Sequence, residues 1–188
     1  MKSKFMTIKK ISEIEGVVVR KFESKSDSRG TFQKFSPGNL NLESLDSIAI
    51  STNPKKGTLR GLHFQTEPFS EEKIVTCIRG SVFDVIIDIR PDSETFGEVG
   101  VLQLSSEDAL QLYLPKGIAH GFQTLEANSI VHYALSSSYS PEFSYAIDPF
   151  GDLGIDWPLT VNSISERDRG GISISDAGNK YAESLKKL

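Results

Sequence analysis

The sequence contains few of the residues that usually carry covalent or metal chemistry: one cysteine, one tryptophan and three histidines among 188 residues. The single cysteine, Cys77, excludes an internal disulfide and fits a reducing cytoplasm. The net charge of −4 disfavours nucleic acid or an anionic membrane as a partner. The sequence also lacks the apolar run that a signal peptide or a transmembrane helix needs. We therefore expect one cytoplasmic domain spanning residues 1–188.

Short β-prone runs fill most of the chain and are separated by turns rich in glycine, proline and serine. The strongest run extends from Val82 to Arg90, with an apolar residue at every second position and Asp84 and Asp88 on the opposite face. One dry face and one mixed face indicate a sheet that lines a polar cavity. The pattern predicts an all-β sandwich or barrel with a short helix only in the tail, at 177–188. We predict a polar turn at 24–30 and strands at 16–22, 31–35, 45–51, 57–65, 73–79, 82–90, 98–104, 110–114, 120–125, 130–135 and 145–148.

His63 lies in a strand-like run between Leu62 and Phe64, where a polar ring needs a partner. It is a candidate general base, although a buried structural histidine bonded to a backbone carbonyl would fit the same pattern. Strict alternation places Arg60 and His63 on opposite faces of the strand. The two can serve one pocket only if Gly61 permits a bulge.

His120 ends the motif Pro-Lys-Gly-Ile-Ala-His, which delivers the histidine to the start of a strand. The pattern resembles the second motif of the cupin barrels, in which such a histidine often binds a metal. The matching first motif contains His63, but Gln65 stands where metal-binding cupins have a second histidine. This favours acid–base work over metal binding. His132 is interpreted as structural, because its neighbour Tyr133 faces the other way.

Longer blocks of sequence carry a more specific resemblance. They resemble the signature of the nucleoside-diphosphate-4-keto-6-deoxysugar epimerases, the dTDP-4-dehydrorhamnose 3,5-epimerase family, over about residues 16–170. The resemblance implies a cupin fold without metal, that is, a double-stranded β-helix or jelly-roll barrel. It also implies a homodimer that inverts C3, C5 or both of a nucleotide-linked 4-keto sugar, with no cofactor. The matching blocks are 59–65, 73–75, 80–85, 88–90, 95–97, 114–122, 139–141, 154–158 and 165–168.

The resemblance further implies a role for each matching residue. His63 would remove the proton next to the ketone, and Asp168 would hold its imidazole. Lys73 would stabilise the enolate, and Tyr133 would return a proton from the opposite face. Arg60 would pair with the diphosphate. The other substrate-binding positions are Arg29, His120, Tyr139 and Arg167.

Two further expectations concern neighbours of these residues. The mixed face of the strongest strand leads to the hypothesis that Asp84 orients His120. We also expect residues near Arg29 and Lys34 to reach the nucleotide site of the partner subunit in the implied homodimer.

Three departures from the family pattern leave the substrate open. The family usually has a glutamate at the position of Lys34, a Gln-Asp-Asn run at 48–50, where this chain has Ile-Ala-Ile, and a glutamate near Ser144. In the dTDP enzymes these positions help to hold the nucleotide, so the sugar could be linked to dTDP, CDP or GDP, and one or both carbons could be inverted. Two other classes also remain open: a metal-dependent cupin that uses His63 and His120, and a non-catalytic module that binds sugar nucleotides.

Overall fold

The computed structural model describes residues 8–34 and 44–187. Two β-sheets face each other in this part of the chain, and short helices follow the last strand. The strands are β1 (Ile8–Lys10), β2 (Val18–Lys21), β3 (Glu23–Asp27), β4 (Gly30–Lys34), β5 (Ser47–Asn53), β6 (Leu59–Gln65), β7 (Lys73–Arg79), β8 (Ser81–Asp88), β9 (Val99–Ser105), β10 (Leu110–Leu114), β11 (Ile118–Thr124), β12 (Ser129–Leu135) and β13 (Ser144–Ala146). A 3₁₀ turn covers Ile11–Glu13, and the helices are α1 (Glu166–Arg169) and α2 (Ile174–Leu185).

The order of the strands differs from their order in the chain. One sheet has six strands in the order β1-β9-β8-β11-β6-β13, and the other has five in the order β2-β10-β7-β12-β5. Consecutive strands therefore often belong to opposite sheets, as β7 and β8 do. The predicted all-β sandwich is confirmed, and most predicted strands agree with the observed ones to within two residues.

The alternation in β8 divides its side chains between two apolar layers. Val82 and Ile86 pack between the two sheets, in the main core. Val85 and Ile87 face the other way, into an apolar layer that contains Tyr181 of α2. Asp84 shares the inner face and is fully buried, so the predicted dry face and mixed face are both present.

The C-terminal helix seals the outer face of the six-stranded sheet. It begins at Ile174, three residues before the predicted start, because Ser173 caps it by accepting a hydrogen bond from the backbone N–H of Asp176 at 3.1 Å. Ala177 and Tyr181, one helical turn apart, pack on the sheet. The predicted helix extended to Leu188, which lies outside the described residues. No helix in the described ranges is long and apolar enough to span a membrane.

One prediction was wrong in the N-terminal region. The stretch predicted as a polar turn at 24–30 is largely strand, because β3 and β4 form a hairpin that turns only at 28–29. Its side chains are polar and exposed, so no apolar alternation marked the strands. The last residue of the neighbouring predicted strand, Phe35, lies outside the described residues.

Candidate active site

A cavity of about 340 Å³ opens between the two sheets. Inward-facing side chains of β5, β6, β7, β11 and β12 form its walls, and the segment around Tyr139 and Arg167 forms its rim. Seven of the nine residues predicted for the site line this cavity: Arg60, His63, Lys73, His120, Tyr133, Tyr139 and Arg167.

A bulge in β6 brings Arg60 and His63 to the same cavity. His63 pairs with His120 of β11 and Arg60 pairs with Phe122, so between these pairs two residues of β6 lie opposite one residue of β11. Gly61 sits at the irregularity with a φ of 94°, where a Cβ atom would lie 2.6 Å from the carbonyl oxygen of His120. The bulge that the sequence required for a shared pocket is therefore present, and only glycine fits it.

His63 is held from behind by Asp168. Its Nε2 lies 2.7 Å from Oδ1 of Asp168, whose other oxygen accepts a hydrogen bond from the backbone N–H of Gly61 at 2.9 Å. The carboxylate side chain is 6% exposed, whereas the imidazole side chain is 39% exposed and borders the cavity. This arrangement leaves Nδ1 as the ring nitrogen available to a substrate proton.

The environment of Asp168 keeps its carboxyl group ionised. Burial acts to raise its pKa, but the hydrogen bond and charge of His63, with the Gly61 N–H and the Ser165 hydroxyl, outweigh burial and lower the pKa below its ordinary value. Ser165 also caps the short helix α1, which carries Asp168. An ionised carboxylate stabilises the imidazolium that forms when His63 takes up a proton.

His120 forms a second, deeper pair with Asp84. Nε2 of His120 lies 2.9 Å from Oδ2 of Asp84, and the side chains are 4% and 0% exposed. The other oxygen, Oδ1, has no hydrogen-bond partner among the described residues. Burial raises the pKa of Asp84, and the nearby His120 only partly offsets this. The contact expected from the mixed face of β8 is present.

Tyr133 stands on the wall opposite His63. It belongs to β12 of the five-stranded sheet, whereas His63 belongs to β6 of the six-stranded sheet. Its ring lies edge-on to the ring of His120, with 6.0 Å between the centroids. Burial, reinforced by the charge of Asp84, raises the pKa of the phenol well above its ordinary value. The hydroxyl therefore stays protonated and can donate a proton.

Lys73 reaches the cavity from the start of β7. Its ammonium group lies 3.1 Å from a carboxylate oxygen of Glu71 and donates a hydrogen bond to the backbone oxygen of His63 at 3.3 Å. Both side chains of the ion pair are about nine-tenths buried. The lysine is thus a positioned charge in the wall rather than the solvated residue that a lysine after two glutamates often is.

Two arginines border the cavity, and a third does not. Arg167 donates to the hydroxyl of Tyr139 at 3.1 Å and to that of Ser144 at 2.8 Å, which ties α1 to the rim. Arg60 donates from Nε to Oδ1 of Asn53 at 2.7 Å. Arg29 lies on the β3–β4 hairpin, where it pairs with Asp27 and is not part of the cavity wall. Its predicted role in substrate binding stays a prediction.

Sequence reasoning missed the contacts that three polar residues make around the cavity, although it singled out Gln65 as the replacement for a cupin metal ligand. Glu71 pairs with Lys73, and Asn53 holds Arg60. Gln65 donates to the backbone oxygens of residues 69 and 138 and accepts from the backbone N–H of residue 140, so it anchors the segment that carries Tyr139. For Glu71 a signal existed, since residues two apart on an extended segment share a face with each other. The other two act through non-local contacts that no spacing reveals.

The donor set for a metal is incomplete. Within the described ranges, no three histidine, cysteine, aspartate or glutamate side chains cluster as a metal would need. The side chain of Gln65, at the position of a cupin metal ligand, is occupied by backbone partners. The residues around His63 and His120 therefore do not support the metal-dependent alternative.

A family model described as dTDP-4-dehydrorhamnose 3,5-epimerase matches residues 11–176. The chain belongs to this family. The dTDP-4-dehydrorhamnose 3,5-epimerase of Sinorhizobium fredii is 39% identical over 167 residues, covering 84% of this chain and 83% of that protein. The dTDP-4-dehydrorhamnose 3-epimerase of Streptomyces niveus is 31% identical over 173 residues, covering 87% and 82%. A solved structure of dTDP-6-deoxy-D-glucose-3,5-epimerase from Legionella pneumophila, in complex with dTDP-4-keto-L-rhamnose, matches with a TM-score of 0.81 and 32% identity, covering 88% of this chain and 92% of that chain.

Membership of the 3,5-epimerase family confirms several expectations drawn from the sequence. The resemblance itself is confirmed, and the match extends beyond both ends of the predicted range of 16–170. The similarity to the Legionella structure confirms the cupin fold, with the short helix that follows the strands. An isomerase of the epimerase class is also confirmed at the level of the family.

Proposed function

We propose that this protein inverts one or both carbons next to the ketone of a nucleoside-diphosphate-4-keto-6-deoxyhexose, in deoxysugar biosynthesis. The observation that carries the proposal is the placement of His63 and Tyr133 on opposite walls of one cavity, with Asp168 directly behind the histidine. Inversion requires removal of a proton from one face of a carbon and delivery to the other face. Two walls with a base on one and a protonated phenol on the other meet that requirement.

The proposed reaction has two proton transfers. His63 removes the proton next to the ketone, and the electron pair of the broken C–H bond moves onto the ketone oxygen to form an enolate. Lys73 stabilises the negative charge on that oxygen, and Asp168 stabilises the imidazolium. The enolate then collapses and the carbon takes a proton from the hydroxyl of Tyr133 on the opposite face. Exchange with solvent returns the histidine and the tyrosine to their starting states.

Charge and position also support the binding roles. Arg60 is exposed at the cavity and offers a guanidinium group to the diphosphate, while His120 lines the sugar pocket between the base and the acid. Tyr139 and Arg167 form the rim through their mutual hydrogen bond. No cofactor enters the proposed reaction, because both steps are proton transfers.

The substrate is proposed to be linked to dTDP, following the Sinorhizobium and Streptomyces relatives, with CDP and GDP as the alternatives. Each 4-keto sugar nucleotide would be incubated with the protein in heavy water and followed by NMR. Deuterium should enter at C3, C5 or both, and the position decides between a single and a double epimerase. Saturable binding without exchange would favour the non-catalytic binding module, and exchange with none of the three nucleotides would contradict the proposal.

Substitution of Tyr133 by phenylalanine separates the two proton transfers. The variant should still exchange protons at the reacting carbon, because His63 can return a proton to the face from which it took one. Inversion should fall by at least about 10²-fold, since the donor on the opposite face is lost. Deuterium incorporation and product configuration would be measured in the same sample. Native rates of inversion in Tyr133→Phe would show that another group is the acid.

We also propose a homodimer that uses the outer face of the five-stranded sheet. The registers of β2, β10, β7, β12 and β5 place an apolar or aromatic row across all five strands on this face. Ile48 and Ile50 are 60% and 61% exposed there, and β2 contributes the exposed Val18. A second copy that covers this face would bury them. The row consists of Val18, Tyr113, Ile74, Ala134 and Ile48.

In the proposed dimer, the hairpin of β3 and β4 contributes to the nucleotide site of the partner subunit. Arg29 and Lys34 lie away from the cavity of their own chain, which fits the expectation that they reach the nucleotide site of the partner subunit. Light scattering would test the assembly. Ile50→Lys should produce monomers, whereas Leu185→Lys, on the exposed side of α2, should not. A fully active monomer of the unaltered protein at micromolar concentration would contradict the proposal.

The cytoplasm is the proposed location. Cys77 is a free thiol in the buried core of the described residues, which suits a reducing compartment. Fractionation of cells that contain the protein would test this, and recovery from an oxidising compartment would contradict it.

A further inference from the structure

Asn53 is a fully buried polar residue next to the cavity. It is the last residue of β5, two residues beyond the end of the strand predicted at 45–51. Its side-chain amide donates to the backbone oxygens of Ser51 at 3.1 Å and Ser129 at 3.2 Å, and to the hydroxyl of Ser51 at 3.2 Å. Its Oδ1 atom accepts from Nε of Arg60 at 2.7 Å. A buried amide with every group engaged is a rigid anchor.

The orientation of this amide is determined by its neighbours. Backbone carbonyl oxygens only accept hydrogen bonds, so the NH₂ group of Asn53 must face Ser51 and Ser129. The carbonyl oxygen of the side chain must then face Arg60, whose guanidinium only donates. A flipped amide would place NH₂ against the N–H of Arg60 and would place the side-chain oxygen against two backbone oxygens.

The hydrogen bond between Arg60 and Asn53 determines which edge of the guanidinium group can bind an anion. An arginine binds a phosphate or carboxylate in bidentate fashion either through Nε and one Nη, or through both Nη groups. In Arg60 the Nε–H is already donated to Asn53 at 2.7 Å. The pair of Nη groups is the edge that remains for an anion at the cavity.

We infer that Asn53 is a positioning residue that holds Arg60 so that its two Nη groups face the diphosphate of the substrate. The inference rests on the proposed function, in which Arg60 binds the diphosphate. A long, exposed arginine loses side-chain freedom when it binds an anion, and that loss weakens binding. Because Asn53 orders the side chain beforehand, it strengthens substrate binding and leaves proton transfer unchanged.

The test is a titration of the protein with dTDP, CDP and GDP by calorimetry, continued with the diphosphate that binds most tightly. Asn53→Ala should weaken binding about fivefold, the order expected when one flexible side chain must be ordered on binding. It should raise KM similarly and leave kcat within about twofold. Arg60→Ala should weaken binding about thirtyfold or more, since charge-assisted bonds are lost. The double variant should bind like Arg60→Ala alone.

The matched control is Asn162→Ala. The side-chain amide of Asn162 also donates to a backbone oxygen, that of Lys56, and Lys56 lies in the loop before β6. Asn162 makes no hydrogen bond to Arg60 in the described part of the chain. This variant should bind the diphosphate like the unaltered protein. The inference is overturned if Asn53→Ala weakens binding as much in the Arg60→Ala background as in the otherwise unaltered protein, or if Asn53→Ala alone does not weaken binding.

A second variant keeps the test decisive if Asn53→Ala does not fold. Arg60→Lys retains the positive charge but has no Nε–H to donate to Asn53 and no pair of Nη groups. It should bind the diphosphate within about threefold of Arg60→Ala, and binding like the unaltered protein would overturn the inference. Failure of the proposed function would look different: either no nucleoside diphosphate would bind, or Arg60→Ala would bind as tightly as the unaltered protein.

Discussion

Two histidine–aspartate pairs lie side by side in the cavity wall, and they differ in depth. His63 of β6 and His120 of β11 are direct partners across the two strands, and each bonds a carboxylate through Nε2, at 2.7 Å and 2.9 Å. The first imidazole is partly exposed to the cavity, whereas the second is almost completely enclosed. The same two residue types thus occupy one wall in different surroundings.

The two carboxylates show what the difference in depth does. Asp168 receives a hydrogen bond from the backbone N–H of Gly61 in addition to its contact with His63, and its pKa lies below the ordinary value. Asp84 has one oxygen without a partner among the described residues, and its pKa lies above the ordinary value. A carboxylate that stays ionised supports a base, while a deeply buried one serves to hold its histidine in place.

The largest effect should separate the two histidines. His63→Asn should lower the rate of proton exchange by about 10³-fold or more, because the base is lost. His120→Asn should lower it by roughly tenfold, because a pocket wall is altered while the base remains. Exchange in heavy water would measure both. Equal losses in the two variants would mean that the exposed and the enclosed histidine share the chemistry.

Substitution of the two aspartates should also lower kcat more in the pair of His63 than in the pair of His120, but the difference should be smaller than that between the two histidines. Asp168→Asn should lower kcat about 10²- to 10³-fold, since the imidazolium loses its counter-charge and its fixed tautomer. Asp84→Asn keeps the shape of the side chain and should lower kcat about fivefold, mainly by loosening His120. Steady-state kinetics with circular dichroism as a folding control would decide. A larger loss in Asp84→Asn would reverse the roles assigned to the pairs.

The smallest effect concerns stability and pH. Because the pKa of Asp168 is lowered by folding, its contribution is present above the unfolded value, ~3.9, and is lost as the pH falls through the folded value. The destabilisation caused by Asp168→Asn should therefore shrink as the pH falls from 6 to 3. Urea unfolding at several pH values would measure it.

Asp84 should show the opposite trend in the same experiment. Folding raises its pKa, so the folded state gains stability from protonation of Asp84 as the pH falls through that raised value towards the unfolded one. The free energy of unfolding of the unaltered protein, relative to that of Asp84→Asn, should therefore increase as the pH falls. If both variants follow the same trend with pH, the contrast between the pairs is not electrostatic.

Local patterns account for much of what could be predicted. The alternation in β8 identified its apolar face and the inward position of Asp84, because the side chains of a strand alternate between its faces. Strand β3 was missed for the same reason, since its five side chains are all polar and exposed and alternate with nothing apolar. Pattern reasoning succeeds where one face of an element is buried and fails where neither is.

The site residues also divide into those that the sequence could predict and those that it could not. His63 stood out because a histidine among apolar neighbours is unusual, and the resemblance to a known family assigned Asp168 and Tyr133 to the same site. The positioning roles of Asn53 and Gln65 could not be found in this way. Their importance comes from hydrogen bonds to groups that are distant in the sequence, such as the backbone oxygens of Ser129 and Ser138.

The sequence by itself determined which strands have a buried face and which glycine allows a bulge before His63. It also limited the candidates for a histidine base to three residues. Only the tertiary structure decided that His63 meets an aspartate 105 positions away, while His120 meets one buried more deeply. The physical reason is that side-chain alternation is a property of neighbouring residues. Desolvation and hydrogen bonding depend on segments that become neighbours only after the sheets have packed.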